Sequence, residues 1–206
     1  MVGALAAGLV VVLVAGVFDR SSDDGDDAAH FVEAWERSRT GTFVVSADFV
    51  RTTADGRELR STVEWAQRPP DRLIVQFGSA AGELEGRPIG CTTDGGGFYV
   101  CGEGEVGGDF DEALGDELAV LRTYVEGDAP LYRVEEDPVD GAQVCFDLRL
   151  DRPIVAPPYG ERARFCFDDE TGAPVLVRVE RVEATDLTEA TEVRSEVRDA
   201  DLAPPG

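Results

Sequence analysis

The side chains that most often carry out catalysis are scarce in this sequence or spread through it without a pattern. His30 is the only histidine, so a Ser-His-Asp triad, a Cys-His pair or a zinc-binding HExxH helix would all depend on it. No GxSxG motif is present. The 42 acidic residues are so numerous that the proximity of two carboxylates says little about acid–base chemistry. The sequence therefore predicts a protein that is not an enzyme and that uses no cofactor or metal.

The cysteines are the next candidates for chemistry, and two of them lie on a long hairpin pattern between residues 142 and 182. Apolar and polar residues alternate there with a period of two, which is typical of strands with one dry and one wet face. A register that places Cys145 opposite Cys166 also places Asp147 opposite Arg164. The pattern predicts an antiparallel hairpin joined by a disulfide and an ion pair.

The other two cysteines stand at the ends of a shorter hairpin pattern, CTTDGGGFYVC, as Cys91 and Cys101. Four cysteines allow three pairings. We expect Cys91–Cys101 and Cys145–Cys166, because each pair is brought together by its own hairpin. A zinc site is the alternative, but no CxxC motif or neighbouring histidine favours it. Two structural disulfides would indicate an oxidising compartment outside the cytosol.

Charge restricts the partners of this chain. The formal net charge is −23, from 42 acidic and 19 basic residues, and every basic residue is arginine. Nucleic acid is an improbable partner because phosphate backbones need a basic face. Anionic lipid headgroups would also be repelled at long range. The absence of lysine removes Schiff-base and P-loop lysine chemistry from consideration.

An unbroken apolar run from Val2 to Phe18 opens the chain. As a helix it would reach roughly 26 Å, just short of a bilayer core of about 30 Å. We predict a signal anchor over residues 1–18, with a cleaved signal peptide as the alternative. Val17 stands where a lipidated cysteine would be needed, which argues against a lipid anchor. Residues 19–27 are predicted to be an acidic linker. Residues 28–206 would form the folded domain, either anchored at the extracytoplasmic face of the cell membrane or secreted.

The elements that would position these residues follow from hydrophobic spacing. One helix is predicted behind Asp27 with Phe31 and Trp35 on its apolar face. A second is predicted behind Asp109, with an apolar stripe of Phe110, Leu114, Leu118, Leu121 and Val125. Strand patterns occupy most of the remaining chain, with a single weak strand over residues 82–90 and the last turn near residues 184–187. Their dry face contains the large side chains Phe43, Phe49, Trp65, Phe77, Phe146, Phe165 and Phe167. The predicted fold class is α+β, an antiparallel sheet with amphipathic helices against its dry face.

Three stretches carry a resemblance to a known family: FVEAWERSRTGTF, VSADFVRTTADGRELRSTVEWAQRPPDRLIVQF and CFDDETGAPVLVRVERVEATDLTEATEVRSEVRDADLAPP. The last contains an Asp-x-x-x-Gly-x-Pro turn and a final strand that runs into prolines. Together they resemble the bacterial lipoprotein-carrier superfamily. That group includes LolA-type carriers, RseB-type sigma-factor regulators and the exported lipid-binding lipoproteins of mycobacteria. The resemblance implies a curved antiparallel sheet forming an unclosed barrel, with amphipathic helices on its concave side.

The resemblance also implies a function, which is to hold acyl chains or a lipidated partner between sheet and helices. We expect a membrane-tethered, extracytoplasmic binding module for a hydrophobic ligand, acting as a carrier or a sensor. Its cavity would be lined by Phe49, Trp65, Val75, Phe77 and Phe146. Two alternatives remain open. These side chains could form a filled core, and the protein could be an RseB-type regulatory domain that acts on an anti-sigma factor or another envelope partner.

Overall fold

The computed structural model describes residues 23–94, 98–105, 107–138 and 141–205. These residues form two helices, α1 (Asp23–Thr40) and α2 (Phe110–Val125), and eleven strands. Between the helices lie β1 (Phe43–Thr53), β2 (Glu58–Arg68), β3 (Asp71–Gln76), β4 (Ser79–Leu84), β5 (Arg87–Thr93) and β6 (Tyr99–Glu103). After α2 come β7 (Tyr132–Pro138), β8 (Gln143–Leu150), β9 (Arg162–Asp168), β10 (Pro174–Glu180) and β11 (Ala184–Arg194). A 3-10 turn at Asp199–Asp201 follows the last strand.

The eleven strands form one antiparallel sheet in the order β6-β5-β4-β3-β2-β1-β11-β10-β9-β8-β7. Neighbouring strands follow one another in sequence throughout, except at the centre, where β1 pairs with β11. The outermost strands β6 and β7 do not pair with each other, so the sheet stays open. The predicted fold class is confirmed: the protein is α+β, with a curved, unclosed antiparallel sheet and helices packed on it.

Alternation along the strands gives the sheet an inner and an outer face. The inner face carries Phe49, Trp65, Val177, Phe165 and Phe146, which the register connects from strand to strand. Both helices lie on this face, because their apolar residues belong to the same buried core as the inner-face residues of β7–β10. The principal members of this core are Phe31, Val32, Leu114, Leu118, Leu121, Tyr132, Val134, Phe146, Leu148, Phe165 and Phe167.

The α2 helix forms as its sequence predicts. The Asp109 carboxylate accepts the main-chain N–H groups of Asp111 and Glu112 at 2.9 and 3.3 Å, which caps the helix. Its buried stripe consists of Leu114, Leu118, Leu121 and Val125. The α1 helix begins at Asp23, four residues before the Asp27 cap that the sequence suggests. The Asp27 carboxylate accepts the main-chain N–H of Glu136 in β7 at 3.1 Å instead, so it ties α1 to the sheet.

The outer face has a smaller core over β1–β5. Leu73, Ala80 and Cys91 are buried there, together with Leu202 from the segment after β11. Arg194 fixes this segment, since its Nη2 lies 2.6 Å from Asp201 Oδ1. The sheet therefore buries apolar residues on both faces, under the helices at one end and under the C-terminal segment at the other.

Both predicted disulfides are confirmed, as is the register of the long hairpin. Cys91 is bonded to Cys101, and Cys145 to Cys166. Cys145 lies directly opposite Cys166, and Asp147 opposite Arg164. The Arg164 guanidinium donates to Asp147 at 2.6 Å, which completes the predicted ion pair.

Several strand boundaries differ from those that the sequence suggests. The single weak strand expected over residues 82–90 is a pair, β4 and β5, divided by a turn at Glu85 and Gly86. The β7 strand was not predicted, because its consecutive charges Glu135, Glu136 and Asp137 interrupt the alternation and resemble a loop. The last turn lies at residues 181–183 rather than 184–187, where the main-chain N–H of Arg181 donates to Ala184.

Candidate functional site

The inner face consists of a filled end and a partly open centre. At the filled end, over β7–β10, Phe146 has no exposed surface. Its ring packs against Phe31 of α1 at a centroid distance of 5.3 Å and against Phe167 at 6.4 Å. A ligand could reach Phe146 only if α1 moved. This end of the sheet therefore behaves as a packed core.

At the centre, on β1, β2, β3 and β11, the inner face has a second buried core that contains Phe43, Val45, Ala47 and Val63. Further apolar residues at the margin of this core are only partly buried or are exposed. We call them the central apolar patch: Phe49, Trp65, Ile74, Phe77, Ala190 and Val193. Phe77 is 48% exposed, and its ring centroid lies 5.3 Å from that of Phe49, edge to face. Trp65 stacks edge-on against Phe43 at 5.6 Å. Exposed apolar surface bounded by polar residues marks interaction sites in soluble proteins.

A left-handed turn brings Phe77 into this patch. The sequence pattern suggests that Phe77 continues a strand, but β3 ends at Gln76. Phe77 and Gly78 have φ values of +52° and +69° and connect β3 to β4, as in a two-residue type I′ hairpin. A bulky non-glycine residue at positive φ is uncommon and is strained. The same backbone geometry recurs at Glu85 and Gly86, with φ values of +52° and +71°.

The predicted positions do not all share this patch. Trp65 lies opposite Ile74, so the neighbouring Val75 is on the outer face. Val75 packs there against the small outer core and the segment after β11. Of the five residues expected to line a cavity, Phe49, Trp65 and Phe77 thus lie together, Phe146 belongs to the filled end, and Val75 faces the other way.

Two side-chain donors near the patch lack acceptors. Trp65 Nε1 and Gln76 Nε2 are buried and make no hydrogen bond within the part of the chain that the structure describes. Gln76 lies opposite Val63, two residues from Trp65 on the same face. Most buried hydrogen-bond donors in folded proteins are paired, so two unsatisfied donors on one face require an explanation. Sequence reasoning did not identify Gln76, since no periodicity distinguishes it.

The Glu117 carboxylate adds polar contacts between the two helices, which also share the buried core. Trp35 Nε1 in α1 donates to Glu117 Oε1 in α2 at 2.8 Å. Arg39 Nε donates to the same carboxylate at 3.0 and 3.1 Å. The end of α1 is held in turn by Gln67 of β2, whose buried amide donates to the carbonyl oxygens of Ser38 and Gly41 at 2.6 and 3.0 Å. These contacts set the boundary between the filled end and the central apolar patch.

The Asp-x-x-x-Gly-x-Pro turn supports the same end of α1. The Asp168 carboxylate accepts the main-chain N–H and the hydroxyl of Thr171 at 2.8 and 2.6 Å. Gly172 has a φ of +73° and lies against the main chain of Arg37. Ala173 is fully buried beside Phe43. The turn is therefore a docking point for the helix.

A bidentate ion pair lies beside the patch, where β1, β10 and β11 meet. Arg51 donates to both oxygens of Asp186 at 2.6 and 2.7 Å, and Arg181 donates to Asp186 at 2.8 Å. Hydrogen bonding from Arg51, more than its charge alone, lowers the pKa of Asp186. At the filled end, burial is the main cause that raises the pKa of Tyr159 to about 12, and Glu117 adds to it.

Residues 23–94, 98–105, 107–138 and 141–205 contain no helix that is long and apolar enough to cross a membrane. The predicted signal anchor lies outside the described residues. Within those same ranges, no three His, Cys, Asp or Glu side chains are grouped so that they could hold a metal ion. His30 Nδ1 is hydrogen-bonded to Glu136 Oε2 at 2.7 Å.

No family model and no curated protein matches this chain. Among solved structures it is similar to MucB, determined in complex with periplasmic MucA, with 16% identity over 86% of this chain and a TM-score of 0.46. It spans 60% of that MucB chain. It is also similar to LprF from Mycobacterium bovis, with 13% identity, 88% and 98% coverage of the two chains and a TM-score of 0.39.

A LolA superfamily protein from Nitrosomonas europaea is similar at 8% identity, with a TM-score of 0.35 and coverage of 86% of this chain and 98% of that one. The superfamily that the sequence resembles is thus represented among the solved structures that the chain resembles.

Proposed function

We propose that this protein is an extracytoplasmic binding module for a hydrophobic ligand with an acyl chain, either a lipid or a lipidated protein. The observation that carries the proposal is the central apolar patch, where Phe49, Trp65 and Phe77 remain partly exposed on the inner face. The two disulfides support an oxidising location. Residues 1–18 would tether the module to the membrane, which suits local presentation or sensing.

The unpaired donors support a ligand that also carries oxygen acceptors. An acyl chain would lie along Phe49 and Phe77 and remove their rings from water. The carbonyl oxygen of an ester or amide would accept a hydrogen bond from Trp65 Nε1 or Gln76 Nε2, after a small movement of the groups that cover them. A pure hydrocarbon would leave both donors unpaired.

Native mass spectrometry tests this proposal on the chain from residue 19, produced in an oxidising compartment and purified without detergent. We expect an added mass that organic extraction removes. In the variant Phe77→Asn the fraction of protein that carries the ligand should fall by about tenfold, because the aromatic ring is lost from the patch. Asparagine followed by Gly78 is a preferred type I′ turn, so this variant should keep its fold.

Glu85→Asn is the matched control, because it creates the same Asn-Gly pair in the equivalent turn away from the patch. It should retain the ligand. A wild-type mass without ligand, together with no binding of added phospholipid or fatty acid, would reject the proposal. That result would favour the regulatory interaction domain instead.

A further inference from the structure

The outer face of β7–β10 carries a row of arginines, in a chain whose net charge is −23. Arg133 of β7 lies directly opposite Arg149 of β8, which lies opposite Arg162 of β9. In the next row Arg164 lies opposite Arg178 of β10. All five line one cleft of about 410 Å³. This is a local reversal of the charge that dominates the molecule.

Ion pairing separates these five arginines into a group of three and a group of two. Arg133 Nη2 lies 3.8 Å from Asp151 Oδ1, and Arg178 Nη2 lies 2.8 Å from Glu180 Oε1. Arg164 is neutralised, since it donates to Asp147 at 2.6 Å and to Asp137 at 2.5 Å. Arg149 and Arg162 differ, because neither has a carboxylate within ion-pair distance among the residues that the structure describes. Both are exposed. Within the described residues they are the two arginines of this cleft that make no ion pair.

Such an arrangement is unfavourable without a ligand. Side chains directly opposite each other on antiparallel strands have β-carbons about 4.5–5.5 Å apart, and like charges there destabilise the sheet. Arg149 lies between two arginines, Arg133 and Arg162. Arg162 also lies opposite Glu180 of β10, but that carboxylate is paired with Arg178 at 2.8 Å. An anion between the two guanidinium groups would convert this repulsion into two charge-assisted hydrogen-bonded contacts.

We propose that Arg149 and Arg162, with Arg133 beside them, bind the phosphate group of a small soluble molecule. A guanidinium group matches two phosphate oxygens with parallel N–H donors. A phosphate monoester offers three acceptor oxygens and a charge of about −1.5 to −2, which suits two facing arginines.

The surrounding carboxylates limit the size of the ligand. Glu135, Asp147 and Glu180 also line the cleft, so the positive region is hardly wider than the arginine row. A flat anionic membrane would contact these carboxylates as well as the arginines. The acidic surface around the cleft would also repel the membrane, because salt does not screen charges at contact distance. A compact anion would contact only the arginines and would avoid both sources of repulsion. The site is on the face opposite the central apolar patch, so it is independent of the function proposed above.

Calorimetric titration with inorganic pyrophosphate and inorganic phosphate, at constant ionic strength, tests the site on the disulfide-bonded protein. We expect saturable binding by the wild type. The double variant R149Q/R162Q should bind at least about tenfold more weakly. Its melting temperature without ligand should equal or exceed that of the wild type, because a repulsion has been removed.

Arg60→Gln is the matched control, since Arg60 is an exposed arginine of β2 that lies outside this cleft. It should leave the affinity unchanged. Three results would overturn the proposal: no saturable binding at up to about 10 mM pyrophosphate, equal weakening by Arg60→Gln, or a lower melting temperature of the unliganded double variant. Binding to phosphatidylglycerol vesicles without binding of soluble phosphates would also overturn it, in favour of a membrane contact.

Discussion

Gly172 packs so closely against α1 that a β-carbon at this position would lie 2.7 Å from the main-chain oxygen of Arg37. The residue also has a φ of +73°, which side chains adopt only with strain. The Asp168–Pro174 turn can therefore approach the helix only because Gly172 has no side chain.

We expect Gly172→Ala to destabilise the protein by about 2 kcal/mol or more, since both the clash and the positive φ oppose it. Gly115→Ala is the control. Gly115 lies within α2, and a β-carbon added there would have no neighbouring atom within 4 Å. Alanine at this position should therefore stabilise the protein by about 0.5–1 kcal/mol. Urea unfolding of the two variants would measure both effects. Equal effects of the two substitutions would contradict the docking role of the turn.

Glu117 is predicted to control how firmly α2 is held against α1. The variant Glu117→Ala removes the acceptor for Trp35 Nε1 and Arg39 Nε. Because the carboxylate is 37% exposed, we expect a loss of only about 1 kcal/mol. Hydrogen exchange should show about fivefold lower protection in α2. Asp116→Ala, at an exposed position of the same helix, should leave protection unchanged.

Asp186 should make stability sensitive to acid. Its pKa is lowered in the folded protein, chiefly by hydrogen bonding from Arg51. The stabilisation is therefore fully present above the unfolded pKa of about 4 and is lost as the pH falls through the lowered folded pKa. Asp186→Asn should cost about 1–2 kcal/mol at pH 7 and make the remaining stability less dependent on pH below 4.

Chemical denaturation between pH 2 and 7 would measure this difference. Glu58→Gln is the control, since Glu58 forms an exposed ion pair with Arg60 and should contribute little. Parallel stability curves for wild type and Asp186→Asn would show that the ion pair does not contribute.

Tyr159 should make stability sensitive to alkali. Burial raises its folded pKa to about 12, whereas the unfolded value is about 10. Its contribution is present below pH 10 and is lost as the pH rises through 12, at roughly 1 kcal/mol per pH unit. Tyr159→Phe should reduce this slope. Unfolding curves from pH 8 to 12 would test it, with Tyr99→Phe of β6 as control; an unchanged slope in Tyr159→Phe would count against the burial of this phenol.

Much of the fold could be predicted from the sequence where a local pattern of residues was compatible with only one structure. The two hairpins brought their cysteines together as expected, and the Asp109 cap and the apolar stripe of α2 were both correct. These features depend on neighbours in sequence or on strict alternation. Local chemistry was sufficient for them.

The candidate site was predicted only in part, because the face on which each residue lies depends on the strand register that the preceding turn sets. In β3 the consecutive apolar residues Leu73, Ile74 and Val75 are compatible with either face. The register, which pairs Trp65 with Ile74, assigns Val75 to the outer core. Phe77 was placed in a strand because nothing in its residue type indicates a left-handed turn.

The pairing of β1 with β11 has a consequence for how the chain folds. Every other neighbouring pair joins consecutive strands, so β1–β6 and β7–β11 can each form as a meander of local hairpins. The central pairing of β1 with β11, where Val44 lies opposite Arg194, requires the closure of a loop of 150 residues (194 − 44). The two meanders are therefore joined only after the last strand has been made, and a chain interrupted before Ala184 would present β1 and β10 as two unprotected edges.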